Sequence, residues 1–262
     1  MNKRNNKVYL EIAIKAARAA GKIILSGLGK QKNVQYKGEI NLVTDIDKAS
    51  EKRIIELIDK KFPDHGFLAE ETAVPRDTDE CVWVIDPLDG TTNYAHEYLS
   101  FAVSIALEIR RVIQVGVVFD PVHRELFYAT KGGGAFLNGN PVRVSTVKNL
   151  RKGLIGSGFP YNISDRHIKY FNHFLMKTQG LRRDGSAALD LCYVAMGRFD
   201  GFFELGLMPW DTAAGGLILS EAGGKLSDFQ GGTYSIYNKE CLASNRILHK
   251  ELVKEFSAAA LV

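Results

Sequence analysis

The most informative stretch of the chain is Val82-Trp-Val-Ile-Asp86-Pro-Leu-Asp89-Gly-Thr-Thr-Asn93. Its first four residues are β-branched or aromatic, so they predict a buried strand. Two aspartates three positions apart follow, and then a glycine, two threonines and a predicted helical turn. Pro87 stiffens the predicted turn between the aspartates, and Gly90 allows the backbone to come close to a ligand. The stretch therefore predicts a strand, a tight turn and a short helix with polar groups at the corner.

This corner combines groups that bind a cation with groups that bind an anion. Asp86 and Asp89 can face one point, where their oxygens suit a hard divalent cation. The backbone amides of Gly90 and Thr91 can face another point, where the start of a helix favours phosphate. Phosphate-ester hydrolysis needs both, because a metal offsets the phosphate charge and lowers the pKa of the attacking water. The same residue types also dominate ordinary turns, so the motif alone leaves a plain turn open.

The segments on either side indicate the fold class. A β-rich region with short turns extends from Phe101 to Tyr128, and strands alternate with helices after about Val147. This succession predicts layers of sheet and helix, an α+β or α/β sandwich of the α-β-α-β-α kind. Apolar periodicity predicts helices at about 8–28, 44–63, 164–177, 185–196 and 210–222, with a last one from Ile247.

The length of 262 residues suffices for one large domain or for two closely packed subdomains. The change from antiparallel to alternating pattern places a boundary within residues 146–152. We therefore predict an N-terminal α+β subdomain over residues 1–147, which carries most of the acidic candidates. A C-terminal α/β subdomain is predicted over residues 148–262.

Composition and charge argue against several classes of protein. The net charge is +4, but lysines and arginines are spread along the chain, so no dedicated nucleic-acid surface is predicted. The six histidines lack metal-ligand spacing, which argues against zinc. No stretch approaches the roughly 18 apolar residues of a membrane span, and no signal-peptide core is present. The three cysteines are expected to be buried free thiols, which indicates a reducing compartment and a cytoplasmic location.

Other acidic residues fit the same chemistry, each with a plain alternative. Glu70-Glu71 follows the apolar stretch Gly66–Ala69, where a metal would offset the cost of burying an acid. A solvated loop is the alternative there. Asp211 opens a predicted helix, where a helix cap is the ordinary role. Asp45 and Asp47 open the second helix with the same ambiguity.

Taken together, these motifs resemble the signature set of the inositol monophosphatase family. The resemblance extends from about the first helix to the last, in the family's order and at similar spacing. It implies the sugar-phosphatase fold and a magnesium-dependent, lithium-sensitive hydrolase of small phosphomonoesters. The motifs are Leu42-Val-Thr-Asp-Ile-Asp47, Glu70-Glu71, Asp86-Pro-Leu-Asp-Gly-Thr-Thr-Asn93, Gly185-Ser-Ala-Ala-Leu-Asp190, Gly201-Phe-Phe-Glu204 and Trp210-Asp-Thr-Ala-Ala-Gly215.

The resemblance implies two to three magnesium ions in each active site. Glu70, Asp86 and the carbonyl oxygen of Leu88 would bind the first ion. Asp86, Asp89 and Asp211 would bind the second. A third, looser ion would lie near Glu70 and be held through water.

The resemblance also implies catalytic roles for Glu70, Thr91 and Asp47. Thr91 and Glu70 would orient and deprotonate the nucleophilic water, with Asp47 behind Thr91. The amides of Gly90 and Thr91 would hold the phosphate. The residues implied around the leaving group are Gly185, Ser186, Ala187, Glu204 and Asp211.

The implied substrate is a small phosphorylated polyol or sugar, first of all myo-inositol monophosphate, with fructose 1,6-bisphosphate as a further candidate. A 3′(2′),5′-bisphosphate nucleotidase and a histidinol-phosphate phosphatase share the metal site, and both stay open. A homodimer is expected from the family. Bacterial relatives are associated with transcription complexes, so a role as a transcription-complex interaction protein is an alternative of another class.

Some features depart from the pattern of the animal enzymes. The loop between Glu70 and Asp86 is short, which would reshape the third metal site. Met208 stands where a histidine often lies near the substrate, which weakens the case for inositol. Arg182-Arg183 resembles bacterial members and would reach a second phosphate, an interface or only solvent. The glycine run at 131–139 lacks the ending of a phosphate-binding loop, so a hairpin is predicted there.

Overall fold

The structure is a computed structural model that describes residues 3–30, 34–36, 42–74, 80–160 and 163–260. Among the described helices, even the longest, with 25 residues, is too polar to cross a bilayer. The helices are α1 (Lys3–Gly27), α2 (Asp45–Asp59), α3 (Thr91–Ala95), α4 (Asp165–Lys177), α5 (Ala187–Ala195), α6 (Pro209–Glu221) and α7 (His249–Ala260).

The larger sheet has eight strands, and one antiparallel hairpin, β1 (Val34–Tyr36) and β2 (Leu42–Thr44), precedes it. The eight strands are β3 (Gly66–Ala69), β4 (Ala73–Val74), β5 (Cys81–Asp89), β6 (Ala102–Ile109), β7 (Val112–Asp120), β8 (Glu125–Thr130), β9 (Gly134–Leu137) and β10 (Asn140–Pro141). Their order in space is β10-β9-β8-β7-β6-β5-β3-β4. All neighbours are antiparallel except β3 and β5, which run parallel.

The smaller sheet has five strands in the C-terminal part of the chain. They are β11 (Leu154–Ser157), β12 (Gly180–Arg182), β13 (Gly201–Leu205), β14 (Lys225–Ser227) and β15 (Glu240–Ser244). Their order is β12-β11-β13-β15-β14, with β11 parallel to both of its neighbours and the other pairs antiparallel. The predicted division at residues 147 and 148 falls between the two sheets, and the existence of subdomains stays a prediction.

Helices and sheets alternate in five layers, which confirms the predicted α-β-α-β-α sandwich. Helices α1 and α2 cover one face of the larger sheet, and α5 and α6 lie between the two sheets. Helices α4 and α7 cover the far face of the smaller sheet. Strand β5 illustrates this layering, because its side chains point alternately into the two cores on either face of the larger sheet. Trp83 and Ile85 pack in the core with α1 and α2, whereas Val84 packs in the core with α5 and α6.

Most of the predicted helices and strands are present, but several begin or end at other residues than predicted. The hairpin turns at Arg110-Arg111 and Asn138-Gly139 are confirmed, and the glycine run forms turns between β8, β9 and β10. Helix α1 begins at Lys3 rather than near residue 8, and α7 begins at His249 rather than at 247. All three cysteines are free, but Cys81 is only partly buried.

Candidate active site

The two aspartates of the motif lie at the end of β5, where a bulge interrupts its pairing with β6. Asp86 pairs with Ser104 and Asp89 with Ala102, so β5 carries one residue more than its partner. On a regular strand, residues three apart face opposite sides of the sheet. The extra residue breaks this alternation, as bulges beside functional sites do. The predicted turn at 86–89 is therefore wrong in form, because the strand continues through it.

Four acidic side chains influence one another at this strand end. Burial raises the pKa of Asp86 well above its usual value, and the charges of Glu70, Asp89 and Asp211 raise it further. Burial also raises the pKa of Asp211 well above its usual value, with the charge of Asp89 as the next cause. Protein atoms surround the carboxyl group of Asp211, although the residue keeps some exposed surface. A cluster of this kind favours a cation among its oxygens, since a cation offsets the repulsion.

Each of the three aspartates of this cluster accepts hydrogen bonds from the protein. Asp89 accepts a further one from the backbone amide of Ala187. Bonds of this kind fix the direction of a carboxylate, as outer-shell hydrogen bonds do in metal centres. They run from Leu88 N to Asp86 Oδ1 (3.0 Å), from Ser186 Oγ (2.5 Å) and Ala188 N (2.9 Å) to Asp89 Oδ2, and from Met208 N to Asp211 Oδ2 (2.7 Å).

The donor chemistry of the cluster fits magnesium. Its candidate ligands are carboxylate oxygens together with the carbonyl oxygen of Leu88, and Mg²⁺ prefers oxygen ligands. Within the described ranges, no three acidic, histidine or cysteine side chains are drawn together tightly enough to enclose an ion. The identity and number of the ions stay predictions.

Asp47 and Thr91 form a hydrogen-bonded pair at the same place. Thr91 Oγ1 lies 2.9 Å from Asp47 Oδ1, to which it donates, and 3.1 Å from Leu88 O. Asp47 Oδ2 accepts from the amide of Thr44 at 2.8 Å, as part of the capping box that begins α2. Burial raises the pKa of the Asp47 carboxyl group, and its bonds from Thr44 and Thr91 lower it. The pair fixes the direction of a hydroxyl group, which is what the positioning of a water molecule requires.

Gly90 joins the end of β5 to the one-turn helix α3. Its φ of +92° lies in the left-handed region that favours glycine. A Cβ atom there would also lie 2.9 Å from Ser100 O and 3.3 Å from Gly185 O. Both the positive φ and the lack of space for a Cβ atom therefore require glycine at this position. The first amides of a helix have no partner within it, so those at the start of α3 are the candidates for holding phosphate.

The residues predicted to contact the leaving group come from the second half of the chain, and they lie beside the acidic residues of the site. Ser186 caps α5 and donates to Asp89, and Ala187 is the first residue of that helix. Glu204 lies on β13 with 9% of its surface exposed. Burial raises the pKa of Glu204 well above its usual value, and the charges of Asp211 and Asp89 add to that. These acids therefore share one site.

Gly158 is a part of the site that the sequence did not indicate. A Cβ atom at this position would lie 1.9 Å from Oε2 of Glu204, far inside contact distance. The missing side chain thus makes room for the Glu204 carboxyl group. Gly158 follows β11, and β11 pairs with β13, so only the pairing of these strands brings the two residues together.

Asn93 was within the quoted motif but had no predicted role. Its side-chain Nδ2 donates to Ser100 O and to Asp184 O, both at 2.7 Å. One amide group therefore ties the loop after α3 to the segment that leads into α5. Gly185 follows Asp184, and a Cβ atom added to Gly185 would lie 3.0 Å from the side-chain amide of Asn93. Asn93 holds the start of α5 against the turn at Gly90.

Some predicted residues lie at the margin of the site. Arg182 and Arg183 are exposed. The charge of Arg183 lowers the pKa of Glu204, against the larger effect of burial, so Arg183 lies close enough to influence the site. Met208 is partly exposed beside Asp211. Residues 75–79 of the predicted short loop lie outside the described residues.

Comparison with known proteins gives matches over nearly the whole chain. The model of the inositol monophosphatase family matches residues 5–261. The protein named Nus factor SuhB from Escherichia coli strain K12 is 46% identical over 242 residues, which cover 90% of this chain and 91% of that protein. The protein named inositol-1-monophosphatase from Synechocystis is 44% identical over 257 residues, which cover 96% of this chain and 90% of that protein.

Solved structures of bacterial relatives have the same fold. The inositol monophosphatase from Anabaena (Nostoc) superimposes with a TM-score of 0.87 at 43% identity, covering 97% of each chain. The Thermotoga maritima enzyme superimposes with a TM-score of 0.90 at 35% identity, covering 97% of this chain and 98% of that one. The chain therefore belongs to the inositol monophosphatase family, and its class of activity is phosphoric monoester hydrolysis.

Proposed function

We propose that the chain hydrolyses small phosphorylated polyols or sugars with the help of two to three magnesium ions, and that myo-inositol monophosphate is its foremost substrate. The observation that carries the proposal is the convergence of Glu70, Asp86, Asp89 and Asp211 at the strand end that leads into Gly90. Carboxylates and the amides of Gly90 and Thr91 at one place suit a metal-bound phosphate. Two relatives that carry the names inositol monophosphatase 1 and inositol-1-monophosphatase support the substrate class.

The proposed ligand sets are those that the family resemblance implies. Glu70, Asp86 and the Leu88 carbonyl would hold one ion, and Asp86, Asp89 and Asp211 would hold a second. A third would lie near Glu70. Bound magnesium supplies charge neutralisation at the phosphate and a lowered pKa for the attacking water.

The protein's own groups would orient the attack. Asp47 accepts the hydrogen bond of Thr91, which leaves the lone pairs of the Thr91 hydroxyl to accept from a water molecule. Glu70, half-buried at the end of β3, is the proposed base for that water. The amides of Gly90 and Thr91 would hold the phosphate in line with it.

The leaving group would lie against the second half of the site. Gly185, Ser186 and Ala187 would contact the ring, and the Glu204 carboxyl group would hydrogen-bond ring hydroxyls. Asp211 would help to protonate the departing oxygen by orienting a water molecule, which would supply the proton. A polyol offers more hydroxyl groups to Glu204 than a nucleoside does, which favours a polyol or sugar over the nucleotide alternative.

We also propose a cytoplasmic homodimer. Helix α4 and the residues before it expose several large apolar side chains, and such patches mark interaction surfaces. The free cysteines support a reducing compartment. The exposed apolar residues are Ile163, Ile168, Leu175 and Met176.

A second candidate function is an interaction with transcription complexes. It is favoured by relatives that are 46% identical and carry the name Nus factor. Affinity purification with a tagged Asp89→Asn variant would recover transcription proteins if this role holds. Recovery of none under conditions that retain the homodimer would contradict it.

Phosphate release tests the enzymatic proposal. We expect release from myo-inositol 1-phosphate in magnesium, slower release from fructose 1,6-bisphosphate, and none from either with excess chelator. The Asp211→Asn variant removes a charge that would bind metal, so its turnover should fall by at least about a hundredfold. Release is measured as inorganic phosphate at saturating substrate.

The control is Asp165→Asn, which changes an exposed aspartate in the first turn of α4, away from the site. It should behave as the unaltered protein does. Release that survives chelation, or an Asp211→Asn variant with full turnover, would contradict the metal assignment. A strong preference for adenosine 3′,5′-bisphosphate would instead establish the nucleotide alternative.

We expect Asn93 to affect substrate binding only by positioning the loop after α3 and the start of α5. Asn93→Ala removes both hydrogen bonds that tie the loop after α3 to the start of α5. The two segments should then no longer be held in a fixed position relative to each other. We expect KM for myo-inositol 1-phosphate to rise about tenfold, a loss comparable to one or two hydrogen bonds. The same variant should change KM for p-nitrophenyl phosphate much less, because that substrate lacks ring hydroxyls.

Asn93→Gln keeps the amide group and should restore part of the affinity. Equal losses on both substrates, together with a lower melting temperature, would show that Asn93 serves only stability.

A further inference from the structure

Helix α2 buries three polar side chains on one face, at its end beside the candidate active site. Asp47, Ser50 and Glu51 are almost fully buried, and their spacing of three and four residues places them together on the helix. The same face continues with Ile54 and Ile58, which pack in the core with α1 and the larger sheet. The buried face of a helix is normally apolar, so buried polar groups here indicate specific partners.

Ser50 is bonded to the bulge that separates the two aspartates of β5. Its Oγ donates to the carbonyl oxygen of Pro87 at 2.8 Å. Pro87 directly follows Asp86, in the interval where the pairing of β5 with β6 shifts. A buried hydroxyl group of α2 therefore holds the backbone on the C-terminal side of Asp86.

Glu51 is bonded to the turn between β3 and β4, which carries Glu70. Its Oε2 accepts from the backbone amide of Glu71 at 2.9 Å, and its Oε1 accepts from the hydroxyl group of Thr72. A carboxylate has one oxygen for each of these two donors, so the residue type matches the turn. Glu51 therefore holds the backbone on the C-terminal side of Glu70.

Strand pairing holds the other side of both acids. The backbone amide of Glu70 donates to the carbonyl oxygen of Ile85 at 3.2 Å, which extends the parallel pairing of β3 with β5 by one residue. Ile85 directly precedes Asp86, so the backbones of Glu70 and Asp86 are neighbours. Beyond this point the two strands no longer pair, and the residues that follow are bonded to Ser50 and Glu51.

We propose that Ser50 and Glu51 are positioning residues that set the separation of the Glu70 and Asp86 carboxylates for one divalent cation. This role rests on the magnesium chemistry proposed above, in which the two acids hold the same ion. Adjacent residues of one helix hold the two backbones just where strand pairing ends, so α2 fixes one acid relative to the other. Outer-shell groups of this kind typically contribute about ten- to a hundredfold to metal affinity.

Magnesium binding by the full chain separates positioning from stability. Titration calorimetry with magnesium chloride and no substrate gives the half-saturating magnesium concentration, and thermal unfolding in chelator gives the stability. Glu51→Leu removes both acceptors and should raise that concentration about tenfold. Glu51→Gln keeps an acceptor for the Glu71 amide and a polar group for Thr72, so it should restore most of the affinity. Ser50→Ala removes one hydrogen bond and should raise the concentration about fivefold.

Two matched controls lie away from the acids. Glu221, at the end of α6, also accepts one bond with each oxygen, from the amides of Gly132 (2.8 Å) and Gly134 (2.9 Å). Ser244, on β15, is a buried serine whose Oγ is bonded to His249 at 2.8 Å. Glu221→Leu and Ser244→Ala remove comparable bonds, so both should lower the melting temperature in chelator and leave the half-saturating magnesium concentration unchanged.

An unchanged magnesium concentration in Glu51→Leu and Ser50→Ala would overturn the proposal, because these residues would then serve stability alone. Ser50→Ala decides by itself if Glu51→Leu does not fold. Glu51→Gln binding as weakly as Glu51→Leu, or controls that weaken binding equally, would also overturn it, since charge or global stability would then account for the loss. If the unaltered protein binds no magnesium, the magnesium chemistry itself fails, and the positioning role fails with it.

Discussion

The repulsion among four acidic groups in a largely buried place is the constraint on which the rest of the site depends. Burial first, and the charges of the neighbouring acids second, raise the pKa values of Asp86 and Asp211 well above their usual values. The fold keeps them in place through the bulge of β5 and through one hydrogen bond or more to each aspartate. Burying mutually repelling carboxylates costs free energy, and the proposed cation binding would account for their presence.

The same contacts join the two halves of the molecule at the site. Asp89, on the larger sheet, accepts from Ser186 and Ala188 at the start of α5, so a metal-binding candidate also helps to cap a helix of the leaving-group side. Asn93 adds a second connection to the segment before α5. Metal, phosphate and leaving group can then be aligned by a few short contacts, as positioning in catalysis requires.

The sequence predicted what depends on local pattern and missed what depends on strand pairing. The succession of strands and helices indicated the layers, and the Asp-Pro-Leu-Asp-Gly motif indicated two of the four acids, Asp86 and Asp89. The turn predicted at 86–89 is a bulge instead, because the extra residue is defined only against β6. The packing of Gly158 against Glu204 could not be predicted from the sequence either, because it depends on the pairing of β11 with β13. A glycine that accommodates a distant carboxyl group has no local signal, whereas one in a left-handed turn follows a recognisable motif.

Thermal unfolding of the Asp86→Asn variant, with magnesium and with chelator, tests the central claim most directly. Asparagine keeps the shape and the hydrogen bond from Leu88 N, but it removes one of the mutually repelling charges. If the acids are held together for a cation, the variant should melt higher than the unaltered protein in chelator. It should also lose most of the stabilisation that magnesium gives to the unaltered protein. A variant that melts lower in chelator and gains as much from magnesium as the unaltered protein does would contradict the account.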